Sequence, residues 1–237
     1  MVIAGIVAGG VGMRMGQNIR PKQFIDLMGK PIIIHTIEKF MVSPDIDYII
    51  VGTHPDWLSL MYDLAYKYFI DTDKIFIISG GVNRNETIKN IAIAAREKCK
   101  AGDDAILVTH DAVRPFLSLR IIHENVQAVM KYGVCDTVAE ATDTIVRSGD
   151  QEFITDIPVR REMYQGQTPQ SFNIKLFEDV YNGMTEEELN IVTDACKLFY
   201  LRNYKVKLVK GDVANFKITY PFDLKMAQLM VGDLVDD

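Results

Sequence analysis

An apolar run that empties into a glycine-rich loop constrains this chain more than any other stretch. Val2-Ile3-Ala4-Gly5-Ile6-Val7 is apolar nearly throughout, as a strand buried on both faces of a parallel sheet must be. It runs into Ala8-Gly9-Gly10-Val11-Gly12-Met13-Arg14-Met15-Gly16 and then Arg20-Pro21-Lys22-Gln23-Phe24. A loop short of Cβ atoms lets backbone N–H groups come close to an anion. Arg14 and Lys22 stand in and just after it, placed to neutralise phosphate charge. Two familiar phosphate loops do not fit. G-x-G-x-x-G starts at Gly10-Val11-Gly12 but meets Met15 where its third glycine belongs, and no Gly-Lys-Ser or Gly-Lys-Thr completes a Walker A pattern. The glycines alone are also compatible with a plain strand-to-helix turn. With the basic residues added, the stretch reads as a nucleoside triphosphate site.

The same strand–loop–helix alternation then repeats. A helix is predicted from Pro31 to Phe40, with His35 packed on its apolar surface. Strands follow at Tyr48–Gly52, Ile75–Ile78 and Ala105–Val108, and helices at Pro55–Phe69, running on from the Ser79–Thr87 stretch to about Lys98, and at Ser118–Tyr132. This predicts a Rossmann-like, mostly parallel twisted sheet with helices on both faces, where ligands bind outside the carboxyl ends of the strands. Two further junctions fall at such ends. Gly80-Gly81-Val82-Asn83-Arg84-Asn85-Glu86-Thr87 either binds an anion or base edge, or is a helix start capped by Asn83 or Asn85 with Glu86 in its first turn. His110-Asp111-Ala112-Val113-Arg114 brings Asp111 to a ribose, a polyol hydroxyl or a divalent cation, or else pairs Asp111 with Arg114.

After Tyr132 the pattern changes. Thr137-Val138-Ala139 continues a strand, and Thr144 to Ile154 reads as a hairpin with its turn at Ser148-Gly149-Asp150. A hairpin of that size has little core of its own, so an inserted arm at about 142–168 is predicted to pack on a second subunit. Helices at Leu176–Asn182 and Thr185 to about Arg202, a strand at Val206–Val209, an extended piece at Asn215–Thr219 and a helix from Pro221 complete one domain over 1–237. Thr193-Asp194 is a cap or a site pair.

Net charge narrows the partners. At −6 the chain argues against nucleic acid and anionic membranes, which need an excess of Lys and Arg. No apolar run reaches membrane-span length. Cys99, Cys135 and Cys196 are widely spaced and form no C-x-x-C pair, which suggests a reducing, cytoplasmic location.

Six motifs in order resemble the sugar-alcohol phosphate cytidylyltransferases, a family that includes the enzymes making CDP-methylerythritol and CDP-ribitol. They are A-G-G-x-G-x-R-M-G at Ala8, P-K-Q-F at Pro21, G-G-x-x-R at Gly80, H-D-A-V-R-P-F at His110, Q-T-P-Q-S-F at Gln167 and N-F-K-I-T at Asn215. The resemblance covers nearly the whole chain and implies a nucleotidyltransferase fold and transfer of a cytidylyl group from CTP to a polyol phosphate. The methylerythritol enzymes typically read H-D-A-A-R-P and T-D-E-A. Here Val113 interrupts the first motif, and Thr193-Asp194-Ala195-Cys196 replaces the second. Those departures, with Ile157-Pro158-Val159-Arg160 and Met163-Tyr164-Gln165-Gly166-Gln167-Thr168, resemble the ribitol-phosphate branch and make ribitol 5-phosphate the expected acceptor.

The resemblance also implies roles. Arg14 and Lys22 match residues that stabilise charge on the α-phosphate and the leaving pyrophosphate. Arg160 and Lys217 match residues that hold the attacking phosphate, Arg160 from the other subunit of a homodimer. Val7, Ala8, Gly9, Gly10 and Gly12 match CTP-binding positions, as do Gly80 to Thr87. Asp111, Arg114, Thr144, Thr168, Thr193 and Thr219 match positions around the ribose and the acceptor. Magnesium is expected on the triphosphate, with Asp111 as its candidate protein ligand. On residue physics alone, Lys217 and Arg160 also read as solvated surface charges.

Overall fold

Both faces of the first strand are apolar, so both must be covered, and the computed structural model shows how; it describes residues 1–10, 20–69 and 73–233. In chain order the first half contains β1 (Val2–Ala8), the short ribbon β2 (Asp26–Leu27) and β3 (Lys30–Pro31), α1 (Ile32–Met41), β4 (Tyr48–Thr53), α2 (Leu58–Tyr68), β5 (Ile75–Ser79) and α3 (Arg84–Lys98). The second half contains β6 (Ile106–Asp111), α4 (Leu119–Tyr132), β7 (Val134–Glu140), β8 (Tyr164–Asn173), α5 (Ile174–Asn182), α6 (Glu186–Ile191), α7 (Ala195–Leu201), β9 (Lys207–Lys210) and α8 (Pro221–Asp233).

Seven strands form one sheet in the order β5-β4-β1-β6-β8-β7-β9, parallel except where β8 runs antiparallel between β6 and β7. Alternation along the strands sorts the core into two layers. Ala4 and Ile6 face a cluster filled by Ile33, Ile37 and Phe40 of α1, Met61 of α2 and Ile122 and Val126 of α4. Ile3, Ile50 and Leu107 face the other, filled by Ile88 and Ile91 of α3, Phe177 of α5 and Leu198 and Phe199 of α7. A smaller cluster joins Leu27 and Ile32 to Val113, Ile218 and Ala227 of α8. Among the described residues no helix is long and apolar enough to cross a membrane.

The chain leaves β1 toward β4 and β5, then returns to the other side of β1 as β6. The strand order therefore reverses between β1 and β6, and a crevice opens outside their carboxyl ends. The helix expected from Thr185 to about Arg202 is two, broken at 192–194, where Asp194 caps the second, and three further features differ from the sequence reading. β6 reaches Asp111, three residues past the expected end, so His110 and Asp111 belong to the strand rather than to the loop after it. Ten residues from Tyr164 form a sheet strand, so the span 164–168 belongs to the sheet and not to an arm. The expected hairpin ladder is reduced to one bridge, Arg147 to Asp156. Its turn does form: Asp150 Oδ1 accepts from the Ser148 hydroxyl and from the N–H groups of Glu152 and Phe153 at 2.9–3.0 Å. The rest of 142–163 is largely exposed and lies on no strand, which leaves such a turn nothing to propagate into. His35 packs as expected, its Nε2 donating to the Leu27 carbonyl at 2.8 Å.

Candidate active site

A cleft of about 540 Å³ occupies the crevice at the β1/β6 reversal. Val7, Ala8, Gly9 and Gly10 form one wall, Gly81, Val82, Asn83, Arg84 and Thr87 a second, and Asp111, Ala112 and Val113 the floor, with Lys22, Gln23 and Lys217 across the mouth. Arg14 and Gly12 lie outside the described residues.

Local chemistry explains each wall. Gln23 is buried, and its amide donates to the carbonyls of Ala8 (2.7 Å) and Gly10 (3.0 Å), pinning the start of the glycine loop to the turn that follows it. Thr87 is the hinge of the second wall. Its hydroxyl accepts from the Gly81 N–H at 3.0 Å and donates to the Asn83 carbonyl at 2.9 Å. A Cβ at Gly9 would come within 3.3 Å of that hydroxyl, and one at Gly80 within 3.1 Å. The two glycine junctions therefore meet at Thr87, and their missing side chains allow it. Asn83 caps α3 by accepting from the Glu86 N–H, and Glu86 accepts from the Val82 N–H, both at 2.9 Å. Asn83 is therefore the helix cap, and Gly81 to Arg84 with Thr87 line the cleft.

Asp111 anchors the floor. Its carboxylate meets Lys217 Nζ at 2.9 Å, Arg84 Nε at 3.3 Å and Arg114 Nε at 3.5 Å. Burial alone would raise this carboxyl; Arg84, Lys217 and Arg114 together hold it well below the usual carboxylate range. Lys22 Nζ donates to the Ile218 carbonyl at 3.0 Å, which brings the segment after β9 over the mouth. Three cations thus converge on one carboxylate, with Lys22 at the same mouth, in an otherwise acidic chain. Such an arrangement suits a polyphosphate.

His110 lies behind Asp111, fully buried. Its Nε2 is 3.1 Å from the Arg114 carbonyl, which can only accept, so the proton sits on Nε2 and Nδ1 accepts from the Thr168 hydroxyl at 2.9 Å. The same hydroxyl accepts from the Asp111 N–H at 3.2 Å. Burial pushes the imidazole down to about 4, so the ring is neutral near pH 7 and serves as a brace.

The structure does not bring every expected residue to the cleft. Arg114 is buried beneath Asp111, with Nη1 on the Asn215 carbonyl at 2.8 Å. Thr168 is a buried brace, and Asn85 turns its amide to the Val192 carbonyl at 3.0 Å. Thr219 Oγ1 donates to the Lys217 carbonyl at 3.2 Å. Thr193 is exposed at the turn before α7, and Thr144 and Arg160 are exposed on 142–163, away from this chain's own cleft. Gln23 was a motif letter in the sequence without a role; the structure gives it one.

Among the described residues no three His, Cys, Asp or Glu side chains group as a metal cage. Within that set Asp111 is the one acidic side chain lining the cleft, and cations face both its oxygens. A divalent cation entering this cleft would therefore find few protein ligands and take most of its donors from the phosphates it accompanies.

Residues 2–233 match the family model of 2-C-methyl-D-erythritol 4-phosphate cytidylyltransferase, IspD. The chain belongs to the IspD family. It is a CTP-dependent nucleotidyltransferase, and CTP and a phosphorylated sugar-type acceptor are its substrates. Among solved structures, 4-diphosphocytidyl-2C-methyl-D-erythritol synthase from Anaerococcus prevotii DSM 20548 is similar at 27% identity, with 98% of this chain and 96% of that chain covered and a TM-score of 0.80. The Francisella tularensis 2-C-methyl-D-erythritol 4-phosphate cytidylyltransferase shares the fold at 23% identity, 97% and 99% coverage and TM-score 0.77. The Thermus thermophilus enzyme of the same name does so at 21%, 98% and 100%, and 0.72. The IspD relationship agrees with the fold and activity expected from the motifs.

Proposed function

We propose that this IspD-family enzyme transfers the cytidylyl group of CTP to D-ribitol 5-phosphate, giving CDP-ribitol and pyrophosphate for a cell-envelope polymer such as teichoic acid. The observation that carries the choice of acceptor is the start of α7. Where the methylerythritol pattern has glutamate, this chain has Ala195, fully buried, its N–H donating to Gln170 Oε1 at 3.3 Å. The next residue, Cys196, is buried with its thiol on the Cys135 carbonyl at 3.5 Å. A glutamate at 195 would have to enter packed core, so its absence is built into the surroundings. The names of the matched family model and of the Anaerococcus structure favour a second acceptor, 2-C-methyl-D-erythritol 4-phosphate.

In the proposed step an oxygen of the acceptor's phosphate bonds to the α-phosphorus of CTP. The bond from that phosphorus to the β-phosphate oxygen breaks, and the electron pair leaves with pyrophosphate. A phosphate monoester is already anionic near neutral pH, so no proton must be removed from the nucleophile. The remaining barrier is bringing two polyanions together, which positioning and fixed positive charge lower. Lys22, Arg84 and Lys217 supply that charge from the chain described, with Asp111 fixing the angle of Arg84 and Lys217. A magnesium ion, when bound, neutralises further triphosphate oxygens. Arg160 of a second subunit holds the acceptor phosphate.

Pyrophosphate release with CTP and Mg²⁺ tests this directly, with the two acceptors in parallel. A kcat/KM at least tenfold higher for ribitol 5-phosphate supports the proposal. The reverse preference establishes the methylerythritol reading in its place.

A further inference from the structure

Nothing in the proposed step uses Gln170, yet this buried amide sits where the nucleotide cleft meets the turn before α7. It lies on β8, opposite Thr109 of β6 on one side and Asp136 of β7 on the other. Its Oε1 accepts from Arg84 Nη1 at 2.9 Å and from the Ala195 N–H at 3.3 Å. Its Nε2 donates to Asp136 Oδ1 at 3.2 Å and to Asp194 Oδ1 at 3.3 Å. Every hydrogen-bonding position of the amide is used. Chemistry also fixes its orientation: a guanidinium and a backbone N–H can only donate, so the oxygen must face them.

Arg84 is held at two edges of its planar fork, Nε on Asp111 and Nη1 on Gln170. Two acceptors on different edges define the plane of a guanidinium, which one acceptor does not. Arg84 Nη2 is buried and has no hydrogen-bond acceptor among the described residues. Asp194 Oδ1, the other end of the Gln170 contact, also caps α7 by accepting from the Lys197 N–H at 3.0 Å.

We infer that Gln170 is a positioning residue, fixing the Arg84 guanidinium for the nucleotide and tying it to the turn that carries Thr193 and Asp194. The inference rests on the reading of the cleft as the CTP site. The surroundings explain why an amide is needed. Asp136 is faced by Gln170 from β8, Asp194 and Cys196 from α7 and its cap, Arg84 from α3, and its neighbour Cys135, with Arg114, buried beneath the cleft floor, further off. Burial, with Asp194 adding to it, pushes the Asp136 carboxyl up to about 6. The two N–H groups of Gln170 each meet one of the two carboxylates that share this pocket.

The test compares CTP KM and kcat from pH 6 to 8.5 for the full-length wild type, Arg84→Ala, Gln170→Ala, the double variant and Gln170→Glu. Arg84→Ala and Gln170→Ala should each raise the CTP KM about tenfold, as expected for losing a hydrogen bond to a charged group. The double variant should be no worse than Arg84→Ala, because Gln170 acts through Arg84. Gln170→Glu keeps an oxygen for Arg84 but turns its second oxygen toward Asp136 and Asp194, where it needs a proton. Its CTP KM should be near wild type at pH 6 and rise toward that of Gln170→Ala by pH 8.5. An unchanged KM in Gln170→Ala, or effects that simply add in the double variant, overturns the positioning role. An unchanged KM in Arg84→Ala takes down the reading of the cleft and the inference with it. Should Gln170→Ala fail to fold, Gln170→Glu decides alone: a CTP KM that tracks wild type at every pH overturns the inference.

Discussion

Lys22 touches a backbone carbonyl of the segment that closes the cleft, and it belongs to none of the apolar core clusters. Its removal leaves the apolar core intact and tests the chemistry of the cleft. Lys22→Ala is expected to lower kcat about a hundredfold, the scale of one preorganised charge contact in a transition state, while the protein stays folded at the assay temperature. Near wild-type turnover would remove Lys22 from the mechanism. Asp136 makes the opposite case, a residue whose charge costs stability. Its folded-state value of about 6 lies above the ordinary 3.8, so the native state binds the extra proton and stability falls as pH rises from about 4 to 6. His110 runs the other way: its folded value of about 4 lies below the ordinary 6.5, so its contribution is present above pH 6.5 and is lost as pH falls toward 4. The two slopes offset each other. Asp136→Asn should remove one of them, stabilising the protein at pH 8 by up to about 3 kcal/mol and steepening its acid destabilisation. Thermal melts at pH 5 and pH 8 check this; equal shifts at both would show that ionisation of Asp136 is not the cause.

At the scale of elements, the sheet and α3 are held together by an absence. A Cβ at Gly52 of β4 would lie 2.6 Å from Thr87 Cγ2, with Ile91 Cδ1 at 3.3 Å. Gly52→Ala is expected to destabilise by ~1–3 kcal/mol through overpacking, and Gly52→Ala/Thr87→Ser to recover part of that, because the clashing methyl is gone. Additive losses in the double variant would contradict this account of the contact. The sequence showed the parallel strands because each is a short apolar run before a glycine or polar junction. It hid β8 because Gln165, Gly166, Gln167, Pro169 and Gln170 break both the alternation and the apolar run. Those polar residues are there for long-range reasons: Gln167 bonds Asp212 and Asn215, and Gln170 bonds Arg84. Lys22, Arg84, Asp111 and Lys217 were legible as site candidates because motifs flag them, whereas the convergence of three cations on Asp111 needed the fold. Arg114 was legible as a partner for Asp111, but its burial and that of Thr168 were not, since sequence carries no depth.

At the scale of the whole molecule, the cleft and Arg160, the proposed holder of the acceptor phosphate, are apart. Arg160 is exposed, its Nη1 donating to the Thr142 carbonyl at 3.3 Å, and it does not line its own chain's cleft. Around it 142–163 exposes Val146, Phe153, Ile154, Ile157 and Val159, with Phe153 69% accessible. Side chains of that kind on a segment with one β-bridge are costly in water and find cover most readily on a second copy. A further cleft of about 510 Å³ opens at the foot of the segment between β7, β9 and Tyr164. If Arg160 acts on the partner's cleft, two inactive variants must rescue each other. In a heterodimer of Lys22→Ala and Arg160→Ala, one cleft carries both lesions. The other keeps its own Lys22 and receives an intact Arg160 from its neighbour. Random assortment of equal amounts makes half the dimers mixed, each with one restored site in two, so co-refolded variants should recover about one quarter of wild-type activity. Arg160 acting within its own chain predicts no recovery at all, because every cleft would then keep a lesion. Sedimentation of the same mixture must show dimers, and a Phe153→Asp/Ile157→Asp variant should sediment as a monomer and lose acceptor-dependent turnover while keeping CTP affinity. A fully active monomer would remove the second subunit from the site.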